Sequence, residues 1–141
     1  MRVREYLWQV RRIDKRIKAL DAERVGLREA ATYLPSQSTA GTGRVSNSSH
    51  SDPTADIAVK IATADKKIAA EIDALIDLRN KIRGEISQIV KAEYRLILQE
   101  HYLNFKTFEQ ISVDLNYSWR HIMRLYRKAL IEFERIICNE Q

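Results

Sequence analysis

Apolar residues recur near the start of the chain at Val3, Tyr6, Val10, Ile13, Ile17, Leu20, Leu27, Ala31 and Leu34. The steps alternate between three and four, with one gap of seven across Arg24. Heptad spacing of this kind predicts a long helix over residues 2–34, which Pro35 ends. A second stripe follows at Ala58, Ile61, Asp65, Ile68, Ile72, Leu75, Arg79, Ile82, Ile86 and Ile89. It predicts a helix of about 35 residues, about 50 Å long. Asp52 suits its N-cap and Pro53 its first position. Between the stripes, residues 35–53 are rich in Ser, Thr and Gly and offer almost nothing to bury, so a flexible loop, disordered in part, is expected. Such a loop either has a task or is tolerated because closure entropy grows slowly with length.

Two long helices joined by a loop are expected to fold back as an antiparallel hairpin. With Leu34 beside Thr54, the numbers of facing residues sum to about 88 or 89, which sets Arg24 across from Asp65. These are polar interruptions of opposite charge, one in each stripe. Their pairing would fix the register more than it would add stability; otherwise both reach to water. A side stripe of Ala62, Ala69, Ile76 and Val90, interrupted by Arg83, widens the apolar face of the second helix. It is suited to a second hairpin, giving a dimer, or to the C-terminal helices.

From about residue 92 the period changes. "AEYRLILQEHYLN" predicts a helix of three turns with Tyr94, Ile97, Leu98 and Tyr102 inward and Asn104 in the left-handed conformation at its end. Thr107 with Gln110 matches a capping box and opens a short helix over about 108–115 that buries Phe108, Ile111 and Leu115. "NYS" makes a tight turn in which Asn116 ends one helix and Ser118 caps the next. The last helix starts at Trp119 and buries Ile122, Leu125, Ala129 and Phe133. A short helix, a three-residue turn and a basic helix is the arrangement of a helix-turn-helix.

Charge sharpens this picture. The 141 residues carry a net charge of +5. Residues 1–18 hold seven Lys and Arg against Glu5 and Asp14, and residues 118–128 hold four against no acid. Positions 119, 120, 123, 124 and 127 share the helix face opposite Ile122, Leu125 and Ala129. Arg120 and Arg124 project together there, and Arg pairs bidentately with guanine in the major groove. Ser118, His121, Arg127 and Lys128 are better placed for phosphates, as are Lys106 and Thr107 at the start of the preceding helix. The alternative is a solvated basic face. Trp119 either meets a sugar or thymine methyl or packs back on Tyr117. Arg11, Arg12, Lys15 and Arg16 are candidates for an accessory basic surface.

Residues 94–130, "YRLILQEHYLNFKTFEQISVDLNYSWRHIMRLYRKAL", resemble region 4 of bacterial sigma factors, the domain that binds the −35 promoter element. The whole layout also resembles small phage and prophage proteins related to late-gene transcription regulators. The resemblance implies that Ser118 caps the recognition helix and that Trp119, Arg120, Met123 and Arg124 occupy base-reading positions. Sigma factors usually carry an acid where Arg120 stands and often a base where Met123 stands, so their −35 preference is not expected to transfer. Nothing here matches the sigma domain that melts the −10 element, so a complete sigma factor is not expected.

The expectation is therefore an all-α protein with a hairpin over 1–90 and a DNA-binding module over 91–141. It is a regulator of phage or prophage transcription that binds double-stranded DNA and possible RNA polymerase, and forms a possible homodimer through the hairpin. Two other readings stand beside it: a DNA-packaging protein like a terminase small subunit, and a coiled coil that binds RNA polymerase. Scattered carboxylates and dispersed His50, His101 and His121 give no catalytic, metal or cofactor signal. One Cys, no signal-peptide pattern and no apolar run long enough for a bilayer point to the cytoplasm of a bacterial host.

Overall fold

The computed structural model describes residues 2–33 and 53–139, all of whose regular structure is helical. Five α-helices follow in order: α1 (Val3–Thr32), α2 (Pro53–Ser87), α3 (Ala92–Leu98), α4 (Phe108–Leu115) and α5 (Trp119–Asn139), with a π-helical turn, Gln99–Leu103, after α3. The expected Asp52 cap, Leu34, Pro35 and the loop up to residue 52 lie outside the described residues. The chain forms two compact units, Met1–Lys15 with Ile72–Gln141, and Arg16–Glu71. Each takes part of both long helices, so the segment expected to form a module by itself, 91–141, packs with residues 1–15 and 72–90.

In the unit Arg16–Glu71, α1 and α2 run antiparallel. Arg24 Nη1 lies 3.1 Å from Asp65 Oδ1, and Arg24 also pairs with Asp21 on its own helix. One turn and more away, Arg16 Nη2 reaches Glu71 Oε2 at 3.2 Å. Both cross-helix pairs hold the register that the two stripes imply. The seam is thin: Ala64 and Ile68 are buried, while Ile17, Leu20, Leu27 and Ile61 are half-buried.

The other unit holds the main core. Leu7 and Val10 of α1 and Ile82, Ile86 and Ile89 of α2 pack with Ile97, Leu98, Ile111, Ile122, Ala129 and Phe133. The Tyr6 ring stacks beside Phe133 at 6.4 Å, and its hydroxyl donates to both oxygens of the buried Glu85 carboxylate at 2.9 and 2.7 Å. A buried carboxylate needs such a donor, since an unpaired one is costly. Arg95 closes the elbow after α2 by donating to the carbonyls of Ile89 and Val90 at 2.5 and 3.0 Å. Of the side stripe, Ala62, Ala69, Ile76 and Arg83 are exposed, and Val90 lies past the helix end, also exposed.

The expected three-turn helix over "AEYRLILQEHYLN" needs correction. α3 stops at Leu98, and one π-helical turn follows. Asn104 N–H donates to Gln99 O at 3.0 Å, a bond spanning five residues. The wider turn buries His101, Tyr102 and Leu103 in succession, which a 100°-per-residue helix resting one face on a core does not do. It also delays the exit by one residue. Asn104 keeps a right-handed φ of −97°, and Phe105, not Asn104, takes the left-handed conformation at φ 59°. That is an unfavourable place for a bulky side chain. Arg11 supports it, donating to Phe105 O at 3.3 Å with its guanidinium 5.4 Å from the Phe105 ring centre.

Candidate nucleic-acid interface

α4 and α5 are built by their caps. Thr107 Oγ1 accepts from Gln110 N–H at 3.2 Å, and Gln110 Oε1 accepts from Thr107 N–H at 2.9 Å, so both halves of the capping box form. Asn116 ends α4 at φ 55°, ψ 40°, a conformation Asn tolerates better than most residues. Ser112 Oγ then donates to Tyr117 O at 2.6 Å, tightening the turn. Ser118 Oγ accepts from His121 N–H at 3.2 Å and caps α5. Tyr117 points back, donating to Glu93 Oε1 on α3 at 2.9 Å. That hydrogen bond to a carboxylate raises the Tyr117 pKa above its ordinary value.

α5 is strongly two-faced. Ile122, Leu125, Tyr126, Ala129 and Phe133 are buried against α3 and α4. At 100° per residue the opposite face carries Arg120, Arg124, Arg127 and Lys128, all exposed. With Trp119 and Met123 they line one shallow hollow, so the structure brings together the four expected base-reading positions and two of the expected phosphate positions. Trp119 is 51% exposed. The Tyr117 ring instead meets His121, edge to face at 4.7 Å. The first turn of α5 has no acidic residue, so cations and the positive helix end act in one direction on an approaching anion.

The remaining candidates are placed differently. Lys106 Nζ sits 2.5 Å from Glu100 Oε2 and 2.8 Å from Asp114 Oδ2. The two carboxylates raise its pKa and neutralise its charge locally. Thr107 and Ser118 are occupied as caps. Of the accessory surface, Arg11 lies over the Trp8 ring at 4.7 Å and holds Phe105, Arg16 pairs with Glu71, and Arg12 and Lys15 are exposed. The structural roles of Arg11 and of the Tyr117–Glu93 link were not visible in the sequence. Neither partner lies within a few residues of the other, so no local pattern marks them.

Behind the helix-turn-helix, His101 stacks on Phe108 at 4.1 Å and its Nδ1 lies 2.9 Å from Lys106 O. Burial, with the nearby Arg11 charge, lowers the His101 pKa despite that hydrogen bond. Tyr102 and Tyr126 share a hydrogen bond of 2.5 Å, and burial raises the Tyr102 pKa well beyond its ordinary value. Among the described residues, no group of three or more His, Cys, Asp or Glu could hold a metal ion. No helix there is long and apolar enough to cross a membrane. Comparison of the chain with protein-family models, curated proteins and solved structures returns no match.

Proposed function

We propose that this chain is a sequence-specific double-stranded DNA-binding regulator of phage or prophage transcription, probing the major groove with α5 in the manner of sigma region 4. One observation carries the reading. A capped two-helix unit presents Arg120, Arg124, Arg127 and Lys128 on one exposed face, beside a half-exposed Trp119 and with no acid in the first turn of α5. Arg120 and Arg124, one helical turn apart, have the reach and the forked donors to read guanines. Arg127 and Lys128 follow on the same face and serve as phosphate anchors, with His121 and Ser118 at the helix start. Lys106 is a weaker anchor than the others because two carboxylates already hold it. Action on late genes and contact with RNA polymerase belong to the same proposal and rest on the sequence resemblance.

Selection of bound duplexes from a random pool, followed by binding measurements on the enriched sequence, tests it. A preferred site should emerge. Arg120→Ala and Arg124→Ala should each lose about 1–3 kcal/mol of discrimination at one base position. Lack of any duplex binding at low salt, or binding with no preference, would overturn the reading.

A further inference from the structure

The basic face of α5 does not end with its first turns. Ile131 and Arg135 continue the stripe of Arg120, Arg124 and Arg127/Lys128 at intervals of three and four. Lys91, in the elbow between α2 and α3, comes alongside. Lys91, Lys128 and Arg135 line a second hollow floored by Tyr94 and Ile131, with Glu132 as its one carboxylate. Lys128 belongs to both hollows, so the two adjoin. All three cations are exposed. The Lys91 ammonium rests 3.5 Å from the Tyr94 hydroxyl and over its ring.

Length decides what this second cluster meets. Arg120 and Arg135 are separated by about 22 Å along α5 at 1.5 Å per residue, whereas the major groove is about 12 Å wide. A helix that inserts its first turns into the groove must carry its later turns out across the groove wall, and that wall is a phosphate strand. We infer that Lys91, Lys128 and Arg135 form a phosphate clamp for the DNA strand at the groove edge, formed by two elements far apart in sequence. The inference rests on the duplex-binding reading above and extends it. The clamp contacts no base, so it adds affinity without sequence preference.

The test is the salt dependence of affinity of the full chain for its selected duplex and for a random one. Each phosphate contact contributes about 0.9 to the slope of log K against log salt. The double substitution Lys91→Gln with Arg135→Gln should lower that slope by about two. The preference for the selected over the random duplex should stay the same, and so should the melting temperature, since both side chains are exposed. Lys91→Arg with Arg135→Lys should restore the slope. An unchanged slope in the glutamine variant, or a loss of preference accompanying the fall, overturns the clamp while leaving duplex binding by the wild-type chain intact. Failure of the wild-type chain to bind any duplex overturns the parent reading instead.

Discussion

His101 stands where a charge is least welcome. Its ring is enclosed by Phe108, Tyr102, Trp8 and Tyr126, and Arg11 adds a repelling charge. Its folded pKa therefore lies below the value of about 6.5 for an unfolded histidine. The unfolded chain then binds the proton more readily, so stability falls as pH drops. Its contribution is fully present above pH ~6.5 and declines as pH falls from there through the lowered folded pKa. Urea denaturation between pH 7.5 and 5 should show that decline, and His101→Gln should flatten it. An equal decline in the variant would assign the effect elsewhere. Burial of His101 was not legible in the sequence, because it depends on the π-helical turn and on Trp8, which comes from the far end of the chain.

Among the elements, the caps were the most readable features. Thr107 with Gln110, Asn116 and Ser118 are each defined by neighbours within three residues, and each forms in the structure. Removing the Thr107 hydroxyl leaves Gln110 N–H without its partner. Thr107→Ala should therefore cost about 1 kcal/mol in a denaturant melt, and DNA affinity measured where the protein stays folded should change little. A large loss of affinity would make Thr107 a direct contact. The cross-helix pair of Arg24 and Asp65 was readable for another reason: two stripes of the same period each carry one polar interruption, and equal loop offsets place them level. A double-mutant cycle on this pair should give a non-zero coupling that shrinks with added salt.

At the scale of the whole molecule, the recognition helix depends on the start of the chain. Leu7 and Val10 are fully buried in the core that carries α5, and Tyr6 stacks on Phe133 of that helix. The heptad stripe identified Val10 but passed over Leu7. A hairpin seam accounts for one face of α1, whereas here the helix is covered on a wider arc by partners some ninety residues later. Leu7→Ala should cost about 2–5 kcal/mol in urea denaturation. Residues 91–141 alone should give a broad, weakly cooperative melt, because the residues that cover their apolar face are missing. A sharp melt for that fragment would show that the module folds by itself.

The π-helical turn has a consequence for how this chain tolerates change in length. Regularity would favour one residue fewer between Gln99 and Leu103, since the segment would then continue α3 with ordinary hydrogen bonds. Such a deletion would turn everything after it by about 100°. Phe105 would leave the reach of Arg11, and Thr107 would open α4 in a different direction. The shorter sequence would contain a better helix and a misdirected reader of DNA. The surplus residue works as an angular spacer, setting where the reading head points.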